Sequence, residues 1–127
     1  MTIRSAKDVV LQASAGVKTI APGDAAKLVG SPSAIFVDVR EANELEKTGT
    51  LEGAVHVPRG FLEFQADPSS PSHKAELEPA KRLVLFCASG GRSALAAATL
   101  QSMGFTDVVS VEGGFPALKE AGAPTIR

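Results

Sequence analysis

The sequence predicts an α/β fold: a single domain with about five short, mostly parallel strands and helices on both faces of the sheet. Short apolar runs, typical of strands buried on both faces of a parallel sheet, occur at residues 35–39, 83–86 and 108–111. Stretches with helical spacing lie between these runs, as an alternating α/β chain requires. The chain has no internal repeat, which indicates one module and not a duplicated one.

Length and composition favour one globular domain over residues 1–127, with residues 1–16 as an N-terminal helical extension. A chain of 127 residues with 44% apolar residues can bury a substantial core without disulfides or metals. A net charge of −1 without a basic cluster predicts no nucleic-acid or membrane partner. The apolar runs are far shorter than the ~20 residues of a transmembrane helix. Since residues 1–11 lack the pattern of a signal peptide, we expect a cytoplasmic protein.

The N-terminal segment predicts two helices and an edge strand. Residues 5–13 have helical spacing, and Ser5 is a suitable N-cap. Residues 17–20 follow as a short edge strand. Residues 22–29 predict the next helix, because Pro22 fits a first turn, where its missing N–H costs nothing.

The middle of the chain predicts two strands and a long surface connection. The strand at residues 35–39 is followed by a short helix at 41–47 and a brief strand at 54–57. Residues 65–81 are polar and rich in proline and serine, which indicates an excursion over the surface. At most a short helix is expected within it, at residues 73–77.

Residues 83–103 predict a strand, a loop and a helix, and they contain the candidate functional residues. This strand ends at Cys87, residues 88–91 are too small and glycine-rich to extend it, and residues 93–103 are strong helix formers. A closing helix is expected at residues 115–121. In open α/β sheets, ligands bind beyond the carboxyl ends of the strands, where helix N-termini present their N–H groups.

A cysteine in this position is a candidate nucleophile. Its thiol pKa, near ~8.5 when free, falls to roughly 3.5–7.5 at a helix N-terminus beside a cation, and Arg92 supplies the cation. Gly90 and Gly91 allow the loop to curl, so that its amides form an anion-binding nest to which the Ser89 and Ser93 hydroxyls add hydrogen bonds. The residues expected to line this site are Ala88, Ser89, Gly90, Gly91, Arg92 and Ser93.

Cys87 is the only cysteine of the chain. One thiol cannot form an intramolecular disulfide, a CxxC redox pair or a cysteine-rich zinc site. His56 and His73 are far apart in sequence, so a histidine-rich metal site is not expected either.

The segment from Cys87 to Ser93, Cys-Ala-Ser-Gly-Gly-Arg-Ser, resembles the active-site loop of the rhodanese family of sulfurtransferases. Three more segments are similar to family motifs: Asp-Val-Arg-Glu at 38–41, Gly-Ala-Val-His-Val-Pro at 53–58 and Glu-Gly-Gly-Phe at 112–115. The likeness spans residues 17–119 in the family's order. Thr50 and Leu118 stand where the family often has histidine and tryptophan, and we expect both to be packing positions.

The resemblance implies a thiosulfate sulfurtransferase. The Cys87 thiolate takes the outer sulfur of a small anionic donor such as thiosulfate, becomes a persulfide and passes the sulfur to an acceptor. Cyanide is the family's usual test acceptor, and glutathione or a thioredoxin-like thiol is the expected cellular one. The resemblance implies no organic cofactor and no metal.

Three other interpretations of the loop remain. Phosphatases and arsenate reductases have one more residue between cysteine and arginine; the four residues between Cys87 and Arg92 make a smaller ring, which favours one sulfur atom. A sulfur-relay or regulatory binding module would use the persulfide or the fold to dock a partner protein, without turnover of small molecules. An inert buried cysteine would not explain the glycines, arginine and hydroxyls around it.

Asp38 and Arg40 lie at the end of the second predicted strand. Asp38 either accepts hydrogen bonds from the reactive loop or caps the following helix, and we favour the cap because Asp is common at helix starts. Arg40 either binds substrate or pairs with Glu44, four residues later on the same helical face, and we favour the pairing.

His56 and Arg59 follow in the next motif. We expect His56 to be structural, because the family's chemistry rests on the cysteine. Arg59 either steers an anionic donor or pairs with Glu63, and the sequence favours neither.

Overall fold

Seven strands and six helices make up the computed structural model, which describes residues 2–127; Met1, the first residue of the predicted domain, lies outside the described residues. The strands are β1 (Lys18–Ile20), β2 (Ala34–Asp38), β3 (Thr50–Leu51), β4 (Val55–His56), β5 (Arg82–Phe86), β6 (Val108–Val111) and β7 (Thr125–Ile126). The helices are α1 (Ala6–Gly16), α2 (Pro22–Ala26), α3 (Ala42–Thr48), α4 (Leu62–Ala66), α5 (Gly91–Ser102) and α6 (Gly114–Glu120), with a 3-10 turn at Arg59–Phe61.

The main sheet has five parallel strands in the order β1-β6-β5-β2-β4. β5 is therefore central, and β2 and β6 flank it on either side. This arrangement confirms the predicted α/β class. It also places whatever follows β5 in the middle of the sheet's carboxyl edge, where ligands bind in folds of this kind.

Side chains along β5 alternate between two apolar cores. Leu83, Leu85 and Cys87 belong to the core that includes residues of α4 and α5, whereas Val84 and Phe86 belong to the core that includes residues of α2 and α6. This period of two is the ordinary alternation of a strand. Both faces of the sheet are thus covered, and the Cys87 side chain lies on the α5 face.

The structure differs from the prediction in a few elements. α2 ends at Ala26 and not at residue 29, and α5 begins at Gly91, two residues earlier than expected. Residues 73–77 form no helix, which agrees with the expectation of at most a short one. The sequence analysis missed the small antiparallel sheet of β3 and β7. Within residues 2–127, every helix is too short or too polar to cross a membrane.

The α5 side of the core should govern stability. Leu100 is fully buried on α5, so Leu100→Ala should lower the free energy of unfolding by about 2–5 kcal/mol, through lost burial and the cavity left behind. The neighbouring exposed residue gives the control: Gln101→Ala should change it by less than about 0.5 kcal/mol. Urea unfolding measures both, and equal effects would contradict this packing.

Candidate active site

Cys87 is the first residue after the central strand β5. It is only 1% exposed. The Gly90 amide donates to Cys87 Sγ at 3.0 Å, and the thiol lies 3.6 Å from the Ser93 hydroxyl oxygen. The sulfur therefore lies against the first turn of α5, as the strand-loop-helix order predicts.

Opposing influences act on the pKa of the Cys87 thiol. Burial raises the pKa, because desolvation disfavours the thiolate. Hydrogen bonds from the Ser93 hydroxyl and from the amides of Ser93, Ser89 and Gly90 lower it, and together they outweigh burial, so the pKa is below its ordinary value. Ser89 contributes its amide to this effect, and its side chain is exposed. The hydroxyl that reaches the sulfur is that of Ser93.

The sharp curl of the loop is located at Gly90. Its φ of 115° lies in the left-handed region, and its carbonyl accepts the hydrogen bond of the Ala94 amide in the first turn of α5. Gly91 has no such φ, and a methyl group there would make ordinary contact with Val10 of α1 at 3.7 Å. The loop thus requires glycine at position 90, not at both positions.

The loop also packs closely against Gly114. With φ at 64°, a methyl group on Gly114 would lie 2.3 Å from the Cys87 carbonyl oxygen and 2.7 Å from the Ala88 carbonyl carbon. The next amide, that of Phe115, donates to the Cys87 carbonyl at 2.7 Å. The double-glycine turn therefore supports the backbone of Cys87, a contact that the sequence analysis did not predict.

Arg92 forms a two-pronged ion pair with Glu44 of α3, at 2.6 and 2.9 Å. The hydrogen bonds from Arg92 lower the pKa of Glu44 to about 2, against an opposing effect of burial. The same pairing raises the pKa of Arg92, burial opposes the rise, and the charges of Glu44 and then Cys87 add to it. Arg92 thus acts on the sulfur as a cation that a carboxylate already partly compensates.

The expectations for Asp38 and Arg40 are wrong. Arg40 pairs with Asp38 at 2.8 Å and not with Glu44, and both residues are almost fully buried. Asp38 does not cap α3, whose N-cap is Glu41. Thr50, expected to be a packing position, donates its hydroxyl to Asp38 at 2.7 Å. Leu118, the other such position, is fully buried.

His56 and Arg59 have partners away from the sulfur. The His56 Nε2 donates to the Arg40 carbonyl at 2.7 Å, as a structural histidine would. Arg59 pairs with Glu63 at 3.1 Å and donates to the Thr99 hydroxyl at 3.0 Å. Among residues 2–127, neither side chain makes a hydrogen bond to the reactive loop.

Sequence reasoning missed Ser110, whose hydroxyl oxygen lies 2.8 Å from that of Ser93. The available signal was a hydroxyl within the apolar run of β6. In the described part of the chain, no three histidine, cysteine, aspartate or glutamate residues are grouped so as to hold a metal ion.

The family model of the rhodanese-like domain matches residues 21–121. The chain belongs to the rhodanese-like domain family. The resemblance carried by the Cys87 loop is thereby confirmed. Membership in this family supports a sulfurtransferase or a related sulfur-chemistry activity.

Relatives of this rhodanese-like domain differ in what they do. A thiosulfate sulfurtransferase from Pseudomonas savastanoi is 36% identical over 74% of this chain and 80% of that protein. A tRNA uridine(34) hydroxylase from Mesorhizobium japonicum is 37% identical over 85% of this chain, which spans only 34% of that protein's length. A protein of unknown function from Rhodopseudomonas palustris, described as a possible tyrosine phosphatase, is 40% identical, with a TM-score of 0.92 over 99% of this chain and 98% of that one.

Gly114 and Gly91 form a matched pair of variants. Gly114→Ala should lower the free energy of unfolding by at least about 1–3 kcal/mol, because alanine is strained at this φ and its methyl meets the Cys87 carbonyl. Gly91→Ala should leave stability unchanged or raise it by up to about 1 kcal/mol. Urea unfolding separates the two, and equal losses would contradict the close approach.

The Arg92–Glu44 pair predicts opposite shifts of the Cys87 pKa. Arg92→Ala leaves Glu44 uncompensated and should raise the pKa by about half a unit to one unit, whereas Glu44→Gln should lower it. The pH dependence of iodoacetamide alkylation measures both. The alkylation rate falls as the pH drops through the pKa of Cys87, because the thiolate is the reactive form. A variant with a higher pKa should therefore lose reactivity at a higher pH. An unchanged profile in both variants would remove the pair from the electrostatics of the sulfur.

Proposed function

We propose that this chain is a sulfurtransferase that carries a sulfane sulfur as a persulfide on Cys87. The observation that carries the proposal is the position of the Cys87 sulfur, 3.0 Å from the Gly90 amide and beside the Ser93 hydroxyl. Donors fixed around a sulfur stabilise negative charge on it without reorganisation during the reaction. Both a thiolate and a persulfide carry such a charge.

The first half-reaction loads the sulfur. The Cys87 thiolate attacks the outer sulfur of thiosulfate, a new S–S bond forms, and the old one breaks with its electron pair leaving on sulfite. Charge is conserved, and no proton is transferred. Because Cys87 is 1% exposed, a donor with a narrow terminal sulfur fits the site better than a bulky one.

The second half-reaction discharges the sulfur. A thiolate acceptor, such as glutathione or a thioredoxin-like protein, attacks the outer sulfur, and Cys87 leaves as the thiolate. Cyanide serves the same role in the assay. The cycle requires no cofactor or metal, because nucleophile and anion stabilisation both come from the loop. We place this chemistry in the cytoplasm.

The choice of thiosulfate as donor rests on two supports. A relative 36% identical to this chain is named as a thiosulfate sulfurtransferase. The loop also offers Arg92 to a dianion, although Glu44 compensates part of its charge. Arg59, the other predicted contact for the donor, is paired with Glu63, and we leave it outside the proposed cycle.

The phosphatase alternative has one observation in its favour, the description of the Rhodopseudomonas palustris protein. The geometry of the loop argues against it. With four residues between Cys87 and Arg92, the Gly90 amide already donates to the cysteine sulfur itself. A phosphatase loop must instead direct its amides at three phosphate oxygens beyond the sulfur. A loop whose amide already donates to the sulfur leaves little room for those oxygens.

Loading of Cys87 is directly measurable, because the chain has a single cysteine. After incubation with thiosulfate and removal of small molecules, the intact mass should rise by one sulfur atom, and cyanide should remove it with release of thiocyanate. Cys87→Ser should show neither change. Gln101→Ala, at an exposed position on α5, should behave as the wild type.

Three other outcomes would contradict the proposed function or favour a different one. Sulfur transfer by Cys87→Ser would end this proposal. Hydrolysis of an aryl phosphate without any reaction with thiosulfate would favour the phosphatase. A protein that takes sulfur only from a protein persulfide, without turnover of small molecules, would be the relay module that the sequence also allows.

A further inference from the structure

Ser110 is a polar residue in an otherwise apolar strand. Its neighbours in β6, Val108, Val109 and Val111, are buried, and Ser110 itself is 2% exposed. A buried hydroxyl costs free energy unless it is hydrogen-bonded. The strand alternation places Ser110 with Val108 on the α5 face, where its oxygen lies 2.8 Å from the Ser93 oxygen.

The Ser93 hydroxyl has one proton and three polar neighbours. They are the Cys87 sulfur at 3.6 Å, the Gly90 carbonyl at 3.2 Å and the Ser110 hydroxyl at 2.8 Å. A carbonyl only accepts a hydrogen bond, and so does a thiolate. Of these three neighbours, Ser110 is therefore the one that can donate to Ser93 when Cys87 is ionised.

The protonation state of Cys87 changes the direction of this chain of hydrogen bonds. When Cys87 is a thiol, its S–H donates to Ser93, and Ser93 can donate to the Gly90 carbonyl without help from Ser110. When Cys87 is a thiolate, the Ser93 hydroxyl donates a hydrogen bond to the sulfur, and the Ser93 oxygen can then accept one from another donor. Ser110 is the neighbour that can supply this donor, and aligned hydroxyls strengthen one another.

We propose that Ser110 is a positioning residue, which donates to Ser93 so that the Ser93 hydroxyl is directed at the Cys87 sulfur when that sulfur is negatively charged. The persulfide is also an anion, so the same direction of donation serves it after loading. This second part rests on the proposed sulfur transfer. The first part concerns the unloaded protein alone.

The test compares side chains of equal shape at position 110. Ser110 lines a small cavity of about 250 Å³ beside the loop. Threonine and valine differ there only in the hydroxyl. Ser110→Val and Ser110→Ala should raise the Cys87 pKa by about half a unit to one unit, whereas Ser110→Thr should stay close to the wild type.

The rate of iodoacetamide alkylation as a function of pH measures the pKa of the Cys87 thiol and needs no sulfur donor. Ser14→Ala is the control, because Ser14 lines the same cavity on α1 and has no contact with Ser93 among the described hydrogen bonds. Every variant keeps the charged groups that lie around the loop, which are Asp38, Arg40, Glu41, Glu44, Arg92 and Glu112. A difference in the Cys87 pKa between Ser110→Val and Ser110→Thr therefore measures the effect of the hydroxyl at position 110.

The same variants should also differ in turnover. Below the pKa, Ser110→Val should transfer sulfur about 3–10-fold more slowly than Ser110→Thr, because a shift of this size lowers the thiolate population by that factor. Equal pKa values for valine and threonine would overturn the proposal, as would an equal shift in Ser14→Ala. If the pKa values separate as expected but no sulfur is transferred, the proposed function fails and the role of Ser110 toward the thiolate stands.

Discussion

The Cys87 carbonyl group joins the reactive loop to the rest of the molecule. It accepts the Phe115 amide at 2.7 Å, and Gly114 approaches it more closely than any side chain allows. The Phe115 ring stacks on Phe86, with ring centres 6.3 Å apart. The Arg40 guanidinium lies 4.4 Å from the centre of the Phe115 ring. The position of the sulfur therefore depends on the ends of three strands and on the start of α6.

The two ion pairs near the site differ in their physical roles. Asp38 and Arg40 are almost fully buried and hydrogen-bonded on several sides, so removing one partner would leave an uncompensated charge in the interior. Arg92 and Glu44 are partly exposed, and solvent screens them. Both cations are paired, and the hydrogen bonds that lower the pKa of the Cys87 thiol come from neutral amides and the Ser93 hydroxyl.

Local sequence patterns were sufficient to predict the central strand, the loop and the helix after it. An apolar run, small residues and strong helix formers follow one another within residues 83–103, so each element is specified by its own neighbours. The two short strands of the small sheet are too brief to produce a pattern. The turns at residues 73–77 have no such local determinant.

The partners of charged residues were not predictable in this way. Arg40 and Glu44 have the spacing of a helical pair, but α3 begins only at Ala42, so Arg40 lies outside the helix and the spacing rule does not apply. Glu44 instead meets Arg92, 48 residues later. Such a contact exists only once the sheet brings the ends of α3 and α5 together.

The single buried thiol has a consequence for the kinetics of the proposed cycle. With no second cysteine to form an internal disulfide, the loaded chain has no route of its own back to the resting state. The two substrates must then visit in turn, in a ping-pong sequence, and the lifetime of the loaded form depends on the concentration of the acceptor. In the proposed cycle, the chain holds one equivalent of sulfur on Cys87 until a suitable nucleophile arrives.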